Sequence, residues 1–103
     1  MLEIQDHGPV REIRLDRPPA NALNGTLVTR LDEELKNAAV EAGAVVLSGL
    51  PGMFSAGLDV PELLGLDREH FSEMWQRFTG VQRTIATLPV PIACALTGHA
   101  PAG

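Results

Sequence analysis

The segment Gly49-Leu50-Pro51-Gly52-Met53-Phe54-Ser55-Ala56-Gly57-Leu58-Asp59-Val60 constrains this chain more than any other. Ahead of it runs Ala44-Val45-Val46-Leu47, a continuous apolar run of the kind found in a strand covered on both faces. Behind it, Asp59 is placed to cap a short helix beginning near Val60, and Pro61 then falls in the first turn, where no backbone N–H is required. A buried strand is thus joined to a helix through small residues that can present bare backbone N–H groups. An anionic oxygen needs such groups.

The rest of the chain alternates in the same way. Leu2 and Ile4, then Val10, Ile13 and Leu15, predict two short strands around the turn-like His7-Gly8-Pro9, hence a hairpin. Asn24 is placed to cap a helix whose apolar face is Leu27, Leu31, Leu35 and Ala38, with Gly43 as its stop. From Asp67 a second long helix carries Phe71, Met74, Phe78, Val81, Ile85 and Leu88 at steps of three and four, ending before Pro89. Val90 to Leu96 then predicts a buried strand, with Pro91 tolerated near its start. The order hairpin, helix, strand, helix, strand argues for an α/β architecture with parallel crossovers. The Pro/Gly cluster from Gly49 to Gly57 is a working loop inside one domain rather than a boundary.

Thirteen acidic against eight basic residues leave a formal charge of −5, which argues against general attraction to nucleic acid or an anionic membrane. Three Phe and one Trp leave little for base stacking, so the expected partner is a small molecule. A single cysteine rules out an internal disulfide framework and fits a reducing compartment. No signal peptide, transit peptide or membrane span is visible, and the first residues already alternate as a strand. A cytoplasmic location is the expectation, with an organellar matrix left open. No metal site is expected.

Three blocks taken in order resemble the enoyl-CoA hydratase/isomerase (crotonase) superfamily. The first is Arg17-Pro18-Pro19-Ala20-Asn21-Ala22-Leu23-Asn24, similar to that family's early coenzyme A loop. The second is Ser48-Gly49 followed by Phe54-Ser55-Ala56-Gly57-Leu58-Asp59, similar to its signature of an aromatic, two small residues, glycine, any residue and often aspartate. The third, Pro91 to Gly103, is similar to its second oxyanion strand and turn, and the Pro-Ala-Gly step at its end looks most like the Δ3,Δ2-enoyl-CoA isomerase branch.

The resemblance implies a crotonase-like spiral of ββα units with roughly perpendicular sheets, incomplete here: residues 1–103 would be the N-terminal part of a single domain well over twice this length. It implies a shift of a 3-enoyl-CoA double bond to the 2-position through an enolate, in fatty acid oxidation. The alternatives are 2-enoyl-CoA hydratase and a catalytically silent acyl-CoA-binding or assembly subunit. Carried over residue by residue, the backbone N–H groups of Leu58 and Gly103 would form the oxyanion hole. Ala56 would offer its carbonyl to the adenine amino group, Ala20 and Leu23 would line the coenzyme, and Arg17 would reach its phosphates. Gly57, Asp59 and Val60 complete the coenzyme-facing set. Coenzyme A enters as part of the thioester, with no tightly bound cofactor, and the resemblance implies a homotrimer or dimer of trimers. The base would lie beyond Gly103, leaving the fragment inactive.

Several residues also have a plainer expectation. Asp59 is a helix cap, Cys94 a buried structural thiol, His7 a solvated turn residue, His70 a helix-surface residue and His99 loop polarity. Phe71, Met74 and Phe78 form a core stripe, with Trp75 facing an acyl tail or another subunit. Arg14 and Arg30 are surface charges.

Overall fold

The computed structural model describes residues 1–102. Strands β1 (Leu2–His7) and β2 (Val10–Leu15) form the antiparallel hairpin, in a register that pairs Leu2 with Leu15 and His7 with Val10. Helix α1 (Gly25–Glu41) begins where the Asn24 side chain accepts from Leu27 N–H at 2.8 Å, satisfying a donor that the helix itself cannot. It carries the chain back so that β3 (Ala44–Ser48) runs parallel to β2, Val10 opposite Ala44 and Arg14 opposite Ser48.

After β3 come a short strand β4 (Gly52–Met53), a one-turn helix α2 (Val60–Leu64) and the long α3 (Arg68–Ala86), capped by Asp67 through His70 N–H. Helix α3 is the second crossover. It returns the chain to β5 (Ile92–Cys94), parallel to β3, and gives the sheet order β1-β2-β3-β5. A second, two-stranded parallel sheet pairs β4 with β6 (Gly98–His99).

One face of the main sheet supplies Ile13, Leu15, Val45 and Leu47 to the core. Helix α1 lays Leu27, Val28, Leu31, Leu35 and Ala38 over them, and α3 adds Met74, Phe78 and Val81. Each fully buried leucine stabilises the fold by about 1.5–3 kcal/mol, so this face holds the domain together. The Thr84 hydroxyl, donating to Asp32 at 2.5 Å, ties α3 to α1. Among the described residues, no helix is long and apolar enough to cross a membrane.

The fold departs from the sequence expectations in three places. Strand β3 is covered on one face only: Val45 and Leu47 are buried, whereas Ala44 and Val46 on the other face are half-exposed. The run Val90 to Leu96 forms a strand only over Ile92–Cys94, and Ala93 and Cys94 are exposed. The cause is position, since β5 is the outer strand with a partner on one side only. In α3, Met74 and Phe78 are buried as expected, but Phe71 is 43% exposed; Trp75, set apart from that core stripe in the sequence, is 50% exposed. Trp75 tilts against Phe78 with ring centroids 5.9 Å apart, so one edge packs while the remainder faces solvent.

Candidate active site

The loop between β2 and α1 is organised around Asn21, which is fully buried and holds a left-handed backbone with φ 51°. Asparagine tolerates that region better than most residues. Its side-chain amide donates to Leu15 O at 3.0 Å and Phe54 O at 2.9 Å, while Oδ1 accepts from Arg17 N–H at 2.6 Å. Its backbone carbonyl accepts from Ser55 Oγ at 2.9 Å, and the same Oγ accepts from Gly57 N–H at 3.0 Å. A buried polar side chain is costly unless bonded. Both side chains are bonded here, and together they join two loops more than thirty residues apart in sequence.

The segment Ala56 to Asp59 lies alongside Ala20 to Leu23. Ala56 N–H donates to Ala20 O at 2.9 Å, Leu23 N–H to Gly57 O at 2.8 Å and Asp59 N–H to Leu23 O at 3.0 Å. Leu58 therefore sits opposite Leu23 in a parallel bridge that uses the groups on either side of Leu58 and not its own. Because the peptide unit is planar and trans, the Leu58 N–H points opposite to the Gly57 carbonyl, away from Leu23. Among the described residues this N–H has no hydrogen-bond partner, and neither does the Ala56 carbonyl.

Gly57 adopts φ +92°, which side-chain-bearing residues rarely adopt. A Cβ built there would come within 2.9 Å of the Ala102 carbonyl carbon and oxygen. The glycine lets the third sequence block pass directly beside the second. The approach is reinforced upstream, where Phe54 N–H donates to His99 O at 2.9 Å and Thr97 Oγ1 to Leu50 O at 2.7 Å. His99 thus anchors the loop through its carbonyl, and its side chain is exposed. Gly103, the other expected donor, lies outside the described residues.

These loops border an apolar cavity of about 460 Å³ lined by Leu23, Phe54, Phe78, Ile85, Leu96 and Ala102, among others, with Ser55 and Gln82 as its polar members. No carboxylate lines it among the described residues. The loop that carries the Leu58 N–H thus also lends Phe54 and Ser55 to the lining of an apolar space. Among the described residues it brings no carboxylate to that space.

Arg17 and Asp59 meet at the start of α2. Arg17 Nη1 donates to Asp59 Oδ2 and to Ala22 O, both at 2.9 Å, while Asp59 Oδ1 accepts from Glu62 N–H at 3.1 Å. The Glu62 N–H first and the Arg17 guanidinium second hold the Asp59 carboxyl below the usual aspartate range. Asp59 is thus the expected cap, and also the partner of the arginine expected at coenzyme phosphates. Val60 is exposed, Ala20 half-buried, and the Leu23 side chain is packed into the core. Arg30 pairs with Glu34 on α1, Arg14 lies on the sheet beside Glu3, and His7 bonds Glu12. Sequence reasoning assigned no role to Asn21 or Ser55. The available signal was an asparagine, tolerant of left-handed backbone, inside a proline-bounded loop.

The match to known proteins spans nearly the whole chain. A family model described as enoyl-CoA hydratase/isomerase covers residues 5–103. The chain belongs to the enoyl-CoA hydratase/isomerase family. It is 31% identical over 106 residues to the mitochondrial enoyl-CoA delta isomerase 1 of Mus musculus, covering 100% of this chain and 37% of that protein. It is 37% identical to a probable enoyl-CoA hydratase of Rhizobium meliloti (strain 1021), covering 99% and 40% respectively. The human mitochondrial delta3-delta2-enoyl-CoA isomerase structure superposes with a TM-score of 0.89 at 24% identity, over 94% of this chain and 40% of that one. That likeness establishes the incomplete crotonase-type α/β fold. The chain spans about two fifths of the length of these relatives.

Proposed function

We propose that a full-length protein carrying this chain binds an acyl-CoA thioester and moves a 3-enoyl-CoA double bond to the 2-position, as a step of fatty acid oxidation. The observation that carries this reading is the Leu58 N–H, turned away from Leu23 and without a hydrogen-bond partner among the described residues, on the loop whose Phe54 and Ser55 line an apolar cavity. Loss of a proton from C2 places negative charge on the thioester oxygen. A donor held in advance stabilises that charge without reorganising during the reaction. In this reading the Leu58 and Gly103 N–H groups share the oxygen, and the resulting dienolate takes a proton at C4. One carboxylate, used first as base and then as acid, suffices. It is assigned to a part of the full-length protein outside residues 1–103.

Coenzyme A is bound as part of the substrate rather than as a resident cofactor. The Ala56 carbonyl, without a hydrogen-bond partner among the described residues, supports the assignment to the adenine amino group, and Arg17, Ala20, Leu23, Gly57, Asp59 and Val60 form the remaining coenzyme-facing set. The full-length protein is assigned a homotrimer or dimer of trimers and a cytoplasmic or matrix location. The 37% identity to a probable hydratase favours a second reading, hydration of a 2-enoyl-CoA, which uses the same oxyanion hole and a second acidic group to handle water.

Assay of the full-length protein with a 3-enoyl-CoA and a 2-enoyl-CoA tests both. Turnover of the first alone supports the isomerase and hydration of the second the hydratase. Thioester binding with neither reaction would leave a silent acyl-CoA-binding subunit. The 103-residue chain by itself is expected to turn over neither substrate.

A further inference from the structure

Gly57 has no side chain to restrict its backbone, and both of its peptide planes are held by hydrogen bonds. Its N–H donates to Ser55 Oγ at 3.0 Å, and its carbonyl accepts from Leu23 N–H at 2.8 Å. The second bond sets the direction of the Leu58 N–H, because the two groups share one rigid peptide unit. The first keeps Gly57 in the φ +92° conformation from which that peptide is presented. Ser55 is itself held by the carbonyl of Asn21, whose side chain is locked by the Leu15 and Phe54 carbonyls and the Arg17 N–H.

The geometry points to Ser55 and Asn21 as positioning residues that aim the Leu58 N–H at the thioester oxygen, an inference that rests on the functional reading above. Neither residue needs to touch substrate. Asn21 has no exposed surface, and Ser55, though it lines the cavity, is 5% exposed and has its hydroxyl engaged with Asn21 O and Gly57 N–H. A relay of this kind matters because a donor misplaced by about 1 Å can cost ~10²-fold in rate. Replacing Ser55 by alanine leaves the Gly57 N–H buried without its partner and frees the glycine to rotate.

The test uses the full-length protein carrying this chain, with Ser55→Ala and Asn21→Gly, the latter keeping the left-handed backbone accessible. For a folded Ser55→Ala variant, kcat is expected to fall about 10- to 100-fold, with KM changed by less than about threefold. Amide hydrogen exchange at Gly57 should rise at least about tenfold while core amides at Leu31 and Leu35 keep their wild-type rates. Ser55→Thr, which retains the hydroxyl, should keep the Gly57 amide protected. Unchanged kcat and unchanged Gly57 exchange in a folded Ser55→Ala protein would overturn the proposal. So would a loss expressed only in KM. If Ser55→Ala does not fold, Asn21→Gly is read by the same two measurements. If the wild-type protein turns over no CoA thioester, the functional reading fails, and Gly57 exchange alone then decides whether the relay holds the loop.

Discussion

The same change, glycine to alanine, should have opposite signs at two positions of this chain. At Gly49, where β3 enters its loop, an added Cβ would lie 2.7 Å from the Phe54 carbonyl oxygen, 2.8 Å from Phe54 Cα and 3.2 Å from the Met53 oxygen. All three are backbone atoms, so no side-chain rotation relieves the overlap, and the turn bonded between Leu50 and Met53 must shift. Such overpacking costs about 1–3 kcal/mol. Moving Phe54 also draws its carbonyl from the buried Asn21 amide, now 2.9 Å away, at a further cost of about 1–3 kcal/mol. Gly49→Ala should therefore destabilise by about 2–6 kcal/mol. At Gly80, inside α3, an added Cβ meets nothing within 4 Å. Alanine there loses less backbone entropy on folding and should stabilise by about 0.5–1 kcal/mol. Urea unfolding followed by circular dichroism measures both, and at ~4–8 °C per kcal/mol a thermal melt separates them by well over 8 °C. A Gly49→Ala stability within about 0.5 kcal/mol of wild type would refute the close approach described here, since surface-like tolerance is what an open site shows.

Leu58→Pro removes the proposed donor while leaving the bonds from Leu23 N–H to Gly57 O and from Asp59 N–H to Leu23 O available. In the full-length protein it should lower kcat ~10²–10³-fold, about 2.7–4 kcal/mol; a folded, CoA-binding variant within about threefold of wild type contradicts the assignment. Asp59→Asn keeps a capping side chain and should change activity little. Because the Asp59 carboxyl is held below its ordinary value, it contributes stability above that value and loses it as the pH falls through the depressed one. The variant should therefore show a shallower loss of melting temperature below about pH 4; an acid limb identical to wild type would exclude this contribution. Leu35→Ala, at a site with no exposed surface, should cost about 2–5 kcal/mol in a urea titration, and a loss under 1 kcal/mol would contradict the packing of α1 on the sheet.

The elements that were legible in the sequence are those whose cause is local. Helix α1 could be read because Asn24 caps it and Leu27, Leu31, Leu35 and Ala38 recur on one face, and a helix repeats every 3.6 residues whatever it packs against. Asp59 and Asp67 marked α2 and α3 for the same reason, each bonding an N–H three residues on. The ordered blocks at Arg17 to Asn24, Phe54 to Asp59 and Pro91 to Gly103 sufficed for the family. Composition could not say that Cys94 is exposed, because an apolar strand is buried only where another layer covers it, and β5 is the outer strand. The pairing of β4 with β6 spans more than forty residues and leaves almost no pattern in strands of two residues each. The direction of the Leu58 N–H depends on Leu23, and the burial of Asn21 on Phe54 and Ser55. Local propensity selects a helix or a turn, but where a peptide group points is set by the partner it bonds, and those partners become neighbours only when the chain has folded.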